Sequence, residues 1–187
     1  MINFDETVAK AIKDVQTTIK DGTRTEGSID GVLTNKPINH VDHRGRLFEI
    51  WNGTDSFWKD PVVYCYMFSI GANTSKGWGL HLEKKDRYTL VNGEVITILY
   101  DPRKDSPTYG MIQKVTLTPQ GIRQLVIPIG VWHMSVNISK EESFLINHPT
   151  QVYHHEAPDR YLLDWDTKEI PFNVASLFPK NYAGCCE

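Results

Sequence analysis

The fold is decided by two stretches, GLHLEKKDRYTLVNG at residues 79–93 and IPIGVWHMSVN at residues 127–137. Each stretch contains a short strand-like run and carries one histidine, His81 in the first and His133 in the second. Short runs separated by turn residues are typical of antiparallel strands. The spacing therefore predicts a small antiparallel barrel with both histidines pointing into its mouth.

The composition is that of an ordinary globular protein and argues against several classes of partner. With 187 residues, 40% hydrophobic and 23% charged, the chain is long enough for one domain with a full core. A net charge of -3 disfavours a nucleic-acid partner, and no apolar run approaches the ~20 residues of a membrane span. The charged N-terminus is not typical of a signal peptide, and three cysteines do not suggest a disulfide framework. A cytoplasmic location is therefore expected.

The first 24 residues predict a helical extension outside the barrel. Asp5 is a suitable N-cap and Gly22 a suitable end, and apolar residues recur on one helical face at Val8, Ile12, Val15 and Ile19. The predicted organisation is a helical extension at residues 1–24, a barrel at 25–172 and a C-terminal tail at 173–187.

From residue 29 onward the chain changes to short strands punctuated by turns. Strand-like runs lie at residues 41–52, 64–70, 81–83, 88–91, 94–100, 112–117, 124–128, 132–138 and 143–147. Asn92-Gly93 is the strongest hairpin signal and predicts that the runs on either side of it pair. The charged run at 84–87 is expected to be a solvated edge of that hairpin. Strands without intervening helices predict a barrel or a jelly roll.

The two stretches resemble the double motif of the cupin superfamily. The matching positions are His81, Asp86 and Gly93 in the first stretch, and Pro128, Gly130, His133 and Asn137 in the second. The resemblance implies an all-β, cupin-type jelly-roll barrel, here with an added N-terminal helix.

A longer series of segments narrows the resemblance to one branch of the cupins. The segments DHRGRLFEIW, GWGLH, NGEV, DPRKDSPTYG, RQLVIPIGVWHM and DRYLLDWD occur in this order between about residues 29 and 172. They are similar to the dTDP-4-dehydrorhamnose 3,5-epimerase family, which acts on nucleotide-linked 4-keto sugars. The resemblance implies a homodimeric epimerase or isomerase of carbohydrate biosynthesis, with no cofactor, that removes a proton next to the ketone of a dTDP-4-keto-6-deoxy sugar.

The resemblance also implies roles for individual residues. His81 corresponds to the catalytic base and His133 to a second histidine that lines the site. Arg44 corresponds to an arginine that contacts the substrate's phosphates in the neighbouring subunit's site, and Glu49 to an acidic residue near it. The chemistry agrees, because histidine is the commonest base near neutral pH and an arginine grips pairs of phosphate oxygens.

Three positions depart from the family pattern. Trp78 replaces an arginine and is a candidate for stacking on a substrate ring, Asp86 replaces a lysine, and Ile146 replaces the tyrosine that returns the proton. Tyr66 or Tyr88, on strands that could face the cavity, is expected to supply the acid instead, with Tyr153 as a third candidate.

Two other functions compete with epimerisation. His81, Asp86 and His133 form a sensible facial triad for iron or manganese in a metal-dependent cupin enzyme. Gly79 stands where metal-binding cupins have their first histidine, so we expect no tightly bound transition metal. The third possibility is a cupin that binds a sugar nucleotide without catalysis.

Overall fold

The computed structural model describes residues 3–20, 25, 27–53 and 57–178. The helices are α1 (Phe4–Ala9) and one 3-10 turn (Val174–Leu177). The strands are β1 (Leu33–Asn35), β2 (His40–Asp42), β3 (Gly45–Leu47), β4 (Tyr66–Ile70), β5 (Ser75–Leu80), β6 (Asp86–Asn92), β7 (Val95–Tyr100), β8 (Ile112–Leu117), β9 (Gln124–Ile127), β10 (Trp132–Asn137), β11 (Ser143–Asn147) and β12 (Tyr161–Leu162). No helix in this described part is long and apolar enough to cross a membrane.

Two five-stranded antiparallel sheets form the body of the protein. The first has the strand order β1-β9-β6-β11-β4 and the second the order β12-β5-β10-β7-β8. Their inner faces pack on each other, because the main core joins Leu90, Leu125 and Leu145 of the first sheet to Leu99 and Leu117 of the second. The all-β jelly roll predicted from the sequence is confirmed.

The outer face of the second sheet carries its own apolar layer. Trp78, Ile98 and Met134 lie there and are covered by Ile170 and Val174 from the chain that follows β12. Successive residues of a strand point to opposite faces, so Trp78 faces outward while its neighbour Gly79 faces the inside of the barrel. The covering layer continues to residue 178, beyond the barrel boundary expected at 172.

The N-terminal helix is shorter than predicted. It ends at Ala9, its N-cap is Asn3 rather than Asp5, and it buries none of its residues. The predicted apolar face, which includes Ile12 and Val15, is exposed to solvent. A short helix gains little from its backbone alone and needs an apolar surface to pack against, which the described chain does not provide. Gly22 lies outside the described residues.

The prediction of a hairpin at Asn92-Gly93 is wrong. β6 pairs with β9 and β11 in the first sheet, whereas β7 pairs with β8 and β10 in the second. The turn therefore carries the chain from one sheet to the other. Gly93 has φ +89, and a Cβ there would lie 2.1 Å from the Ser143 hydroxyl oxygen, so glycine is needed for conformation and for space.

The charged run at 84–87 is not a solvated edge. Lys84, Asp86 and Arg87 are buried, and residues 81–83, predicted as a strand, form a loop after β5. Arg87 is 1% exposed and donates to the backbone carbonyls of Asp60, Pro61 and His148. These partners are far from Arg87 in sequence. The charges at 84–87 alone therefore indicated an exposed segment, because the contacts that bury Arg87 are not visible locally.

Candidate active site

A buried carboxylate stands at the centre of the barrel mouth. Asp86, at the start of β6, is 3% exposed and has polar partners on all sides. Its Oδ2 lies 3.3 Å from His81 Nε2 and 3.5 Å from His133 Nε2, and it accepts a 3.2 Å hydrogen bond from the Tyr88 hydroxyl. Burial raises the pKa of Asp86, but the hydrogen bonds from His81 and Asn147 and the charges of the two histidines together outweigh it and hold the pKa below its usual range. Asp86 is therefore an anion at neutral pH.

His81 is held through both ring nitrogens. Nδ1 donates to the backbone carbonyl of Asp159, which fixes the proton on that nitrogen because a carbonyl has none to give. Nε2 faces Asp86, so it is the ring nitrogen left able to take up a proton. Burial lowers the pKa of His81, but the hydrogen bond and the charge of Asp86 prevail, so the pKa lies above its ordinary value. This is the arrangement of a base whose carboxylate partner stabilises the imidazolium.

His133 is the second histidine and differs in its protonation. It is 6% exposed, and Nδ1 lies 3.2 Å from the backbone carbonyl of Val131. Burial lowers its pKa below the ordinary value despite the nearby charge of Asp86. The ring centroids of His81 and His133 are 5.6 Å apart, so two imidazoles whose pKa values shift in opposite directions share the one carboxylate.

Tyr66 and Tyr88, the two tyrosines predicted to supply the acid, both reach this cluster, but they differ in burial and in hydrogen bonding. Tyr88 is buried and donates its hydroxyl hydrogen to Asp86, and burial together with the charge of Asp86 raises its pKa well above the usual value. Tyr66 is 41% exposed, and its hydroxyl accepts a 2.9 Å hydrogen bond from Asn147. Tyr66 can therefore still donate its own hydrogen into the mouth, and Tyr88 cannot without leaving Asp86.

Asn147 and Asp159 complete the site and were missed by the sequence analysis. Asn147 donates to Asp86 Oδ1 at 2.8 Å and accepts at 3.0 Å from the backbone of Arg87, which fixes the carboxylate. The Asp159 carboxylate lies 3.9 Å from His81 Nδ1, and its backbone oxygen binds that nitrogen. The sequence did offer a signal for Asn147, because it is the polar residue that ends the apolar run 143–147. Asp159 begins the segment DRYLLDWD, but it is 78 residues from His81, so its contact with the histidine was not foreseen.

Trp78 does not occupy the position predicted for it. It is 1% exposed, and it packs on the outer face of the second sheet with Ile98 and Met134. A ring that is this buried cannot stack on a substrate, so the structure contradicts that role. The apolar positions around it in β5 and β10 explain the burial, because the C-terminal segment covers this face.

Arg44 and Glu49 also lie apart from the cluster. Arg44 is on the hairpin β2–β3, is largely exposed and pairs with Asp42 at 2.6 Å. Next to it in the hairpin, Arg46 contacts Asn92 at 3.4 Å, at the end of β6 opposite to Asp86. Glu49 is exposed and accepts from Asn52. Neither side chain contributes to the cluster around Asp86 in its own chain.

The comparison with known families agrees with the fold. The family model described as dTDP-4-dehydrorhamnose 3,5-epimerase matches residues 26–180, most of the chain. The chain belongs to the dTDP-4-dehydrorhamnose 3,5-epimerase family. Within this family it is a divergent member, because Asp86 and Ile146 stand where the resemblance implied a lysine and a tyrosine.

Curated relatives and solved structures give the same picture. The chain is 31% identical over 129 residues to the probable low-salt glycan biosynthesis epimerase Agl13 of Haloferax volcanii, covering 68% of this chain and 82% of the relative. It is 33% identical over 161 residues to the dTDP-4-dehydrorhamnose 3,5-epimerase of Salmonella typhimurium, covering 77% and 86%. The crystal structure of a dTDP sugar isomerase from Desulfovibrio desulfuricans has a TM-score of 0.72 at 20% identity, covering 78% of this chain and 91% of that one. At 20% identity, this structural similarity shows that the two proteins share a fold.

Proposed function

We propose that this protein epimerises a dTDP-linked 4-keto-6-deoxy sugar by removing and returning a proton next to the ketone. The observation that carries the proposal is the position of His81, with Nδ1 tied to a carbonyl and Nε2 beside the carboxylate of Asp86. Family membership supports the substrate class, since the Salmonella relative is named a dTDP-4-dehydrorhamnose 3,5-epimerase. A cytoplasmic location is part of the proposal and is supported by the sparse cysteines.

The reaction follows from the geometry. Neutral His81 takes the proton through Nε2, the C–H bonding electrons move into the enolate, and negative charge develops on the ketone oxygen. Asp86 stabilises the imidazolium as it forms. Inversion then requires a proton from the opposite face, and Tyr66 lies on the first sheet, facing the second sheet from which His81 extends. His81 then releases its extra proton to water, and the Tyr66 oxygen takes a proton from water, so both groups return to their starting state.

Replacing Tyr66 by phenylalanine is expected to separate exchange from inversion. Base-catalysed exchange of the substrate hydrogen with solvent deuterium should persist, because His81 alone can remove and return the proton. Formation of the epimer should fall by about 100-fold, the lower end of what a general acid contributes. Proton NMR in deuterium oxide measures both quantities in one sample.

Tyr88→Phe is the matched control for this experiment. Its hydroxyl already donates to Asp86, so inversion should change little. Equal loss of inversion in both variants, or full inversion in Tyr66→Phe, would contradict the assignment of Tyr66 as the acid.

We further propose a homodimer in which the hairpin β2–β3 contributes to the neighbouring subunit's site. Exposed apolar side chains on and next to the hairpin, at Ile38, Val41 and Leu47, support a contact surface there. Among the described strands, β2 and β3 pair only with each other and extend neither five-stranded sheet of their own chain. In this arrangement Arg44 binds the phosphates of a substrate held by the partner's histidines.

Light scattering should give twice the chain mass of 21.4 kDa, and a particle of the single-chain mass at micromolar concentration would contradict the dimer. A sharper check mixes two inactive variants, Arg44→Ala and His81→Asn, under conditions in which subunits exchange. Mixed dimers contain one intact site, so activity should return. If the mixture stays inactive while mixed dimers are present, Arg44 does not act across the interface.

A metal-dependent cupin is the second candidate, because His81, Asp86 and His133 offer ligand atoms that all lie within 4.8 Å of one another. Two imidazoles and a carboxylate would suit iron or manganese and would supply a Lewis acid for the ketone oxygen. A fourth protein ligand is absent at Gly79, where an added Cβ would lie 3.4 Å from His133 Nε2.

We still expect no near-stoichiometric transition metal in protein purified without a chelator, because the hydrogen bonds within the cluster already satisfy Asp86. Elemental analysis checks this expectation. Bound iron, manganese, nickel or zinc that disappears in His133→Ala would promote the metal-dependent enzyme instead.

A further inference from the structure

Arg160 lies next to the base because its two neighbours in sequence are both fixed there. On one side, the Asp159 carboxylate accepts backbone N–H groups of Leu82, Glu83 and Lys84 at 2.8, 3.0 and 3.2 Å. On the other side, Tyr161 pairs with Leu80 across β12 and β5. Continuing this antiparallel register by one residue places Arg160 opposite His81.

Residues directly opposite each other in an antiparallel pair carry their side chains on the same face. The ring of His81 points towards Asp86, so the Arg160 side chain leaves the backbone on the side of the barrel mouth. In agreement, the positive charge of Arg160 opposes the rise that burial causes in the pKa values of Tyr66 and Tyr88, and it adds to the lowering that burial causes in the pKa of His133. One exposed cation is therefore aimed at the groups that carry the chemistry.

The guanidinium of Arg160 is also available. Among the residues that the structure describes, it forms no ion pair and no side-chain hydrogen bond, and the residue is exposed. Other arginines near the barrel ends are occupied, as Arg103 is by Asp101 and Arg87 is by three backbone carbonyls. Arg160 is thus free to bind an anion that enters the mouth.

The proposed reaction creates such an anion. When His81 takes the substrate proton, it forms a neutral pair with Asp86, and one negative charge develops on the ketone oxygen. The fixed charge of Asp86 opposes that development, and His133 is neutral at this stage. A cation beside the base offsets this opposition, because preorganised positive charge stabilises a developing oxyanion.

We propose that Arg160 is the catalytic residue that binds the negatively charged ketone oxygen of the substrate while His81 removes the proton. This assignment rests on the proposed function and adds to it a residue that the sequence analysis did not single out. It makes the enolate oxygen, rather than the diphosphate, the group that Arg160 recognises.

The test compares Arg160→Gln, Arg160→Lys and the control Lys114→Gln, which removes one exposed positive charge from β8, the far edge strand of the second sheet. Exchange of the hydrogen next to the ketone of dTDP-4-keto-6-deoxyglucose is measured at saturating substrate. Arg160→Gln should lower the rate by about 100-fold with little change in KM or in affinity for dTDP. Arg160→Lys should recover part of the rate, and Lys114→Gln should resemble the wild type.

The outcomes separate the assignment from the function on which it rests. An unchanged rate in Arg160→Gln, with an active wild type, overturns the role of Arg160 alone. A raised KM with weaker dTDP binding and an unchanged saturating rate assigns Arg160 to the diphosphate and also overturns it. Absence of exchange in the wild type despite substrate binding overturns the epimerase function itself.

One further readout does not depend on turnover. An NMR titration of the His133 ring should show a higher pKa in Arg160→Gln than in the wild type, because the opposing charge has been removed. An unchanged His133 pKa would show that the guanidinium does not reach the cluster, and would overturn the assignment even without substrate.

Discussion

Replacing His81 by asparagine should reduce solvent exchange of the substrate hydrogen by ~100- to 10,000-fold, the usual contribution of a general base. Asparagine keeps some of the size and hydrogen bonding of the ring but cannot take the proton near neutral pH. Binding of dTDP should stay close to that of the wild type. Deuterium incorporation followed by NMR measures the rate, and a melting shift with dTDP measures binding.

His154→Asn is the matched control, since His154 is exposed and takes no part in the cluster around Asp86. It should exchange at the wild-type rate. A loss smaller than tenfold in His81→Asn would show that another group removes the proton.

The pKa of His81 predicts how the exchange rate changes with pH. The pKa of His81 is raised by Asp86, so the neutral base accumulates only as pH rises through a value above the ordinary ~6.5 of histidine. The exchange rate should therefore climb with pH to a plateau on the alkaline side. In Asp86→Asn the inflection should move to lower pH, because the carboxylate that favours the imidazolium is gone. An unmoved inflection would mean that Asp86 does not control the base.

Replacing Arg87 by methionine should destabilise the protein by about 3 kcal/mol or more. The substitution keeps the apolar stem but leaves the backbone carbonyls of Asp60, Pro61 and His148 without their donor. The buried His148 carbonyl left without a partner costs about 1–3 kcal/mol, and the half-buried contacts to Asp60 and Pro61 add smaller losses. The contact of the guanidinium with the Trp58 ring, 5.3 Å from the centroid, is lost as well. Denaturant unfolding followed by circular dichroism measures the change.

The matched control is Arg160→Met, the same substitution at an exposed arginine. Its free energy of unfolding should stay within about 0.5 kcal/mol of the wild type, as for most surface changes. Similar losses in both variants would show that the buried hydrogen bonds of Arg87 contribute no special stability.

The sequence predicts the cluster well because motif spacing and strand geometry determine it together. His81, Asp86 and His133 occupy fixed places at strand ends, so recognising the barrel brings them together. Trp78 shows the limit of this reasoning, because its nearness in sequence to His81 says nothing about which face of β5 it occupies. One step along a strand moves a side chain from the cavity to the opposite face.

The failures share one physical cause, which is that the deciding contacts are distant in sequence. Asn92-Gly93 has ideal turn chemistry, but the long-range pairing of β6 and β7 with other strands decides that it joins two sheets. The run at 84–87 is buried because Arg87 meets Asp60 and His148, 27 and 61 residues away. The helix predicted from residue 5 has a good apolar period, but no surface in the described part of its own chain covers it.

Asp159 contacts both the loop at residues 82–84 and the ring of His81. Its carboxylate holds the backbone of residues 82–84, and its own backbone carbonyl holds the ring of His81. Displacing residues 82–84 from the Asp159 carboxylate would therefore also disturb the hydrogen bond that orients the imidazole of His81. One residue thus couples the backbone of a loop to the orientation of a buried side chain.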